Sequence, residues 1–166
     1  GCHKHPSPIN FEEAVMMSCN SYFCYVFKNL LENPKYSSCE LAFDAWEQYV
    51  RSFGFGSPVG CEIPNELGGN IPSSSYYDKI YGKGHWKYSS VISLAIGQGE
   101  VGVSPLQIAN LSAIIANRGW YVSPHLIKDS PAQFHRTLVD SSRFEPLIEG
   151  MYRAVHSSAE EGGTAR

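Results

Sequence analysis

Ser18 and Asn20 stand two residues apart in Met17-Ser18-Cys19-Asn20-Ser21, offering a hydroxyl and a carboxamide from one short stretch of backbone. A serine hydroxyl is a weak nucleophile that needs a base within hydrogen-bond reach, and a second hydroxyl beside that base can complete the proton path. Alone the triplet is also what a chain uses to break one helix and cap the next. A second group gathers at the N-terminus, where Cys2, His3 and His5 precede Cys19. Thiols and imidazoles suit zinc, but their spacing fits no standard finger, so a metal on Cys2, His5 and Cys19 would be structural. It would tie the segment before the first helix to the Ser18 loop. Cys24, Cys39 and Cys61 read as small buried hydrophobes.

Gly97-Gln98-Gly99-Glu100-Val101-Gly102 matches Gly-x-Gly-x-x-Gly after an apolar run, which raises dinucleotide binding as an alternative. Three details oppose it. The helix start signal sits at Ser104, past the third glycine, so the amides that should face a pyrophosphate are displaced. Glu100 puts a negative charge where phosphate would lie. The next acidic residue is Asp129, later than the ~20-residue offset the ribose contact needs.

The 166 residues are about one domain's worth, with 43% hydrophobic, 17% charged and 13% aromatic residues; such a chain can bury a core. Net charge is −3 and the basic residues are scattered singly, which leaves no footprint for a phosphate backbone and excludes a nucleic-acid partner. No apolar run approaches the roughly 20 residues that span a bilayer, and no basic-then-apolar signal opens the chain. Any membrane anchor is expected outside it. Five cysteines, an odd number, do not make the dense even framework of a disulfide scaffold.

The elements that must position these groups are mainly helical. Asn10 followed by Glu13 predicts a capped helix from Phe11, with Ile9 stapled onto Ala14. Tyr22, Phe23, Val26, Phe27, Leu30 and Leu31 give a second buried stripe that ends at Asn33-Pro34. Leu41, Ala45, Trp46, Tyr49 and Val50 give a third, closed by Gly54 and Gly56. Residues 57–75 read as an irregular arm pinned by Val59, Ile63, Leu67 and Ile71. A short helix and loop follow over 76–88, Lys79, Lys83 and Lys87 reading as a solvated surface. Ser104-Pro105-Leu106-Gln107 then starts a helix with Leu106, Ala109, Leu111, Ile114 and Ile115 buried. Residues 120–128 and 135–139 are strand candidates. A last helix over 143–156 buries Phe144, Leu147, Ile148, Met151, Tyr152 and Val155.

Read in order, the chain resembles the penicillin-binding transpeptidases, whose catalytic set is Ser-x-x-Lys, Ser-x-Asn and Lys-Ser/Thr-Gly. Ser18-Cys19-Asn20 resembles the middle element, and Phe53-Gly54-Phe55-Gly56 the Phe-Gly after the family's next helix. Gly69-Asn70-Ile71-Pro72, Ile96-Gly97-Gln98-Gly99, Ser104-Pro105-Leu106-Gln107, Ala116-Asn117-Arg118-Gly119, Pro124-His125-Leu126 and Gly163-Thr164-Ala165 extend the likeness over the whole chain. It is nearest the class B enzymes, in the penicillin-binding protein 2 group of the cell-elongation machinery.

The resemblance implies acyl transfer on peptidoglycan stem peptides ending in D-Ala-D-Ala, acylation by β-lactams, and elongation-machinery partners. It implies that Ser18 relays a proton between the Ser-x-x-Lys lysine and the leaving amine, and that Asn20 hydrogen-bonds that lysine and the acyl-side amide. No cofactor is required for this chemistry. The parent would be anchored in the cytoplasmic membrane with this domain in the periplasm or outside the cell. The chain departs from the pattern in having neither Ser-x-x-Lys nor Lys-Ser/Thr-Gly. Residues 1–166 are therefore expected to be a partial transpeptidase domain, lying between those two motifs and inactive alone. The expected fold is mainly α with a few short strands, the helical subdomain of the β-lactamase-like transpeptidase fold with its central sheet largely missing. Apolar surface left by the sheet would favour self-association. A non-catalytic scaffold or metal-binding module stands as the alternative.

Overall fold

Asn10 opens α1 (Phe11–Met16), its side chain accepting the Glu13 amide at 2.9 Å, the N-cap role expected of it. The computed structural model describes every residue except 1, 3, 4, 63, 159 and 166, so His3 and Ile63 lie outside the described residues. Glu13 reaches back to the Ile9 amide at 3.0 Å, while the Ile9 side chain is 85% exposed. The staple onto Ala14 does not form, because that lone methyl is already wholly buried and offers no surface to cover.

Among the described residues the further α-helices are α2 (Asn20–Leu31), α3 (Cys39–Ser52), α4 (Ser74–Tyr81), α5 (Tyr88–Val91), α6 (Pro105–Ala116) and α7 (Phe144–His156). Residues 92–96 continue α5 as a tighter turn. Strands β1 (Trp120–Val122) and β2 (Phe134–Arg136) pair antiparallel, Trp120 opposite Arg136 and Val122 opposite Phe134. Among the described residues this is the only sheet, so the mainly α fold with short strands is what forms.

One core joins α2 and α3 to α4 and α5 through Phe27, Leu31, Phe43, Tyr77, Trp86 and Leu94. Here the structure corrects the face expected for α3. Leu41 and Tyr49 are 50% and 48% exposed, whereas Ala42 and Phe43 are fully buried. Apolar residues ring most of this helix, so spacing alone permits two registers. Phe43 decides between them by standing edge-on to Tyr77 and Trp86, with centroids 5.5 and 5.4 Å away. On α2 the stripe holds at Phe27 and Leu31, but Val26 is 44% exposed.

The second core holds Ile114, Tyr121 and Phe144. On α6 the buried residues are Gln107, Asn110 and Ile114, not the all-apolar face expected; Ala109 lies exposed. The cause is the arm over 57–75. Gln107 completes the Ser104 capping box through its Oε1 and points its Nε2 at the carbonyls of Gly54, Ser57 and Gly68 at 3.0, 3.0 and 2.8 Å. Buried carbonyls without a donor are costly, so a polar side chain wins the inward position. Val59 and Ile71 pin the arm as expected, while Leu67 is 76% exposed.

Helix α7 packs on α1, and Gly150 makes the contact close: a Cβ there would lie 2.7 Å from Val15 Cβ. The outer part of the expected α7 face is not covered, since Met151, Tyr152 and Val155 are 44%, 58% and 50% exposed. Among the described residues no helix is long and apolar enough to cross a membrane.

Candidate functional site

Helix α1 ends in a left-handed turn, and Ser18 is the residue that makes it. Its φ is +51°. The Ser18 amide donates to the Val15 carbonyl at 3.1 Å and the Cys19 amide to the Ala14 carbonyl at 3.0 Å, the paired bonds of a Schellman motif. Glycine is the usual occupant of that position, because a Cβ costs about 1 kcal/mol in the left-handed region. The Ser18 side chain is exposed.

The turn hands the chain directly to α2, with Cys19 as N-cap in extended conformation and Asn20 as the first helical residue. Cys19 is 4% exposed and anchors the turn from beneath. Among the described residues neither the Ser18 hydroxyl nor the Asn20 amide is spent on an internal hydrogen bond. Asn20 borders a cleft of about 480 Å³ whose other walls include Tyr25, Lys28, Tyr88 and Ile92. A larger cavity of about 540 Å³ lies around Arg51, Asn70 and Lys79 and contains neither Ser18 nor Asn20.

The closing motif returns to this turn. Thr164 Oγ1 donates to the Met16 carbonyl at 2.9 Å, and Gly162, with φ +95°, lies so near Met17 that a Cβ would come within 3.0 Å of its Cγ. The Ala165 amide bonds the Ala154 carbonyl at 2.9 Å, fixing the segment to α7. Two motifs at opposite ends of the chain thus meet at the end of α1.

Cys2, His5 and Cys19 also converge, as their types suggested. Their ligand atoms lie within 4.8 Å of one another, and the two sulfurs are 3.9 Å apart. His5 Nδ1 lies 2.6 Å from the Pro6 carbonyl, which assigns the proton to Nδ1 and leaves a lone pair on Nε2. Nε2 is buried and makes no hydrogen bond of ordinary geometry among the described residues. The Ser21 hydroxyl, at 3.0 Å, and the Ser21 amide, at 3.1 Å, hold the Cys2 sulfur and bring its thiol down to about 6. The Pro6 carbonyl raises His5. Ser21 was not singled out by sequence, and no spacing rule ties it to Cys2.

The dinucleotide alternative does not survive. The run before Gly97 is helical over residues 88–96 rather than a strand. Glu100 accepts the Tyr77 hydroxyl at 2.8 Å, and Gly102 pairs with Asn70, so the loop serves the core and the arm.

A family model for the penicillin binding protein transpeptidase domain matches residues 1–166. The peptidoglycan D,D-transpeptidase MrdA of Acinetobacter baumannii is 34% identical over 120 residues, which is 72% of this chain and 16% of that protein. This chain thus spans less than a fifth of that relative's length. The solved complex of penicillin-binding protein PBP2 with MreC from Helicobacter pylori superposes with a TM-score of 0.73 at 24% identity, covering 90% of this chain and 26% of that one. Pseudomonas aeruginosa PBP2 in complex with WCK 5153 gives 0.73 at 23% identity, covering 100% and 41%.

Proposed function

This chain belongs to the penicillin binding protein transpeptidase domain family, and from that premise we propose that it builds the Ser-x-Asn wall of a peptidoglycan D,D-transpeptidase site. The observation that carries the reading is Ser18 itself, a hydroxyl kept exposed in a left-handed turn where glycine would be easier. In the reaction the serine of Ser-x-x-Lys attacks the carbonyl of the penultimate D-Ala, and the terminal D-Ala leaves as an amine. Ser18 passes the proton from that lysine to the leaving nitrogen, and Asn20 orients the lysine and the acyl-side amide. A β-lactam enters the same path and stops at the acyl-enzyme. The 166 residues contain neither the nucleophile motif nor Lys-Ser/Thr-Gly, so alone they form no acyl-enzyme.

The parent protein works in cell-wall elongation at the outer face of the cytoplasmic membrane, and the H. pylori relative bound to MreC supports a partner from that machinery. Fluorescent penicillin tests the reading. The full-length parent is expected to label and this chain alone is not; a folded parent that stays unlabelled would overturn it.

Cys2, His5 and Cys19 further fit a structural zinc. Zinc–sulfur bonds of about 2.3 Å in a tetrahedron set two sulfurs about 3.8 Å apart, against the 3.9 Å found. The metal would brace the Ser18 turn and take no part in acyl transfer. Cobalt(II) in place of zinc would give thiolate charge-transfer bands that weaken in Cys19→Ser; a spectrum without such bands contradicts the site.

A further inference from the structure

We propose that the outer face of the β1–β2 hairpin is a docking platform for the N-acetylated glycan strand that carries the stem peptides. The choice of glycan rests on the transpeptidase reading above, while the platform stands on the fold alone. Trp120 lies opposite Arg136 and Val122 opposite Phe134, so these four side chains share one face and Tyr121 and His135 take the other. The inner face is fixed from behind. Tyr121 is 6% exposed in the second core and stacks on His135 with ring centroids 4.7 Å apart. The Ser123 hydroxyl donates to the Val59 carbonyl at 2.8 Å and lies 2.9 Å from His135 Nε2, tying the hairpin to the arm. The outer face meets solvent. Phe134 is 69% exposed, and its ring centroid lies 5.9 Å from that of Trp120, the planes inclined by 39°. Both rings, with His135 and Arg136, line an open cavity of about 430 Å³, within the size range of small-molecule sites.

The groups at this cavity are hydrogen-bond donors and ring faces. Among the described residues Arg136 makes no ion pair, and neither its guanidinium nor the Trp120 indole N–H is spent on an internal hydrogen bond. No acidic residue among those described lines the cavity. Such a surface fits a ligand rich in acceptors and bearing flat apolar faces. Pyranose rings lay their C–H faces on aromatic rings, and acetamido carbonyls and hydroxyl oxygens accept from the guanidinium and the indole. A polypeptide fits less well. Strand addition needs a longer edge than two strands of three residues offer, and the charged Arg136 interrupts the apolar surface that a docked helix would need. The platform holds the polymer while its peptide reacts.

The test titrates tetra-N-acetylchitotetraose into the full-length parent by calorimetry, with fluorescent penicillin labelling of the same samples in parallel. The parent is expected to bind the tetramer, and to bind cellotetraose, which has hydroxyls in place of the acetamido groups, less tightly. Phe134→Ala and Arg136→Ala, both exposed and outside the acyl-transfer machinery, should each weaken binding about tenfold and label at the original rate. A parent that labels but does not bind the tetramer overturns the platform and leaves the transpeptidase reading standing. Binding that weakens in both variants of a parent that stays unlabelled supports the platform and contradicts that reading instead. Equal binding by the parent and both variants overturns the platform, as does an acidic peptide that binds through Phe134 and Arg136 where the tetramer does not.

Discussion

Thr164 Oγ1 donates to the carbonyl of Met16 at 2.9 Å across 148 positions of chain, so the closing motif seals the end of the helix that delivers Ser18. The last carbonyls of any helix lack an internal partner, and here the threonine hydroxyl provides one. Thr164→Val keeps the shape and removes the donor. It should cost about 1 kcal/mol, read as a lower urea midpoint, with faster amide exchange at Ser18. Thr164→Ser should restore both. An unchanged midpoint and exchange rate in Thr164→Val would mean that the bond does not hold the turn.

Ser18→Gly should stabilise the fold by about 1 kcal/mol, because glycine carries no Cβ into the left-handed region. Ser18→Ala keeps the Cβ and should leave stability near that of the parent sequence. Equilibrium urea unfolding of the three proteins separates the cases. Glycine and alanine variants of equal stability would remove the argument that the turn is strained.

Capping chemistry made much of this fold legible in sequence. Asn10, Ser104 with Pro105 and Gln107, and the glycines after α3 and α4 each act through a few adjacent backbone atoms, and α1, α6 and the helix ends fell where they indicate. The Ser18–Asn20 break and the Cys2, His5 and Cys19 group were legible for the same reason, by residue type and nearness in chain. What escaped depends on distant partners. Phe43 faces inward because Tyr77 and Trp86 meet it there, and Gln107 because the arm brings three carbonyls to α6. Nothing in the spacing of α3 or α6 encodes those encounters. The Schellman turn escaped because its usual glycine is replaced by Ser18.

Gln107→Leu should be severe. Three carbonyls and the Ser104 amide lose their partner at once, and the cost should reach about 3 kcal/mol or more. Gln107→Glu keeps an acceptor for Ser104 and loses the donors, so it should rescue little. Thermal denaturation gives the stability, and limited proteolysis within 57–75 reports release of the arm. A Gln107→Leu protein as stable and as protease-resistant as the original would show that the arm is held by other means.

Met151, Tyr152 and Val155 leave an apolar stripe on the outside of α7. The 166-residue chain should therefore self-associate as its concentration rises, measured by light scattering. Met151→Lys with Val155→Lys, one turn apart, should return it to a monomer without loss of helix content. A chain that is monomeric at every concentration would show that this stripe is not sticky enough to associate.

The central claim is that Ser18 carries a proton in acyl transfer, and the rate of penicillin acylation in the full-length parent tests it most directly. Ser18→Ala, with helix content and melting unchanged, is expected to slow labelling by about 10²–10⁴-fold, the usual worth of a positioned proton carrier. Labelling at the original rate would contradict the account and leave Ser18 as a helix stop alone.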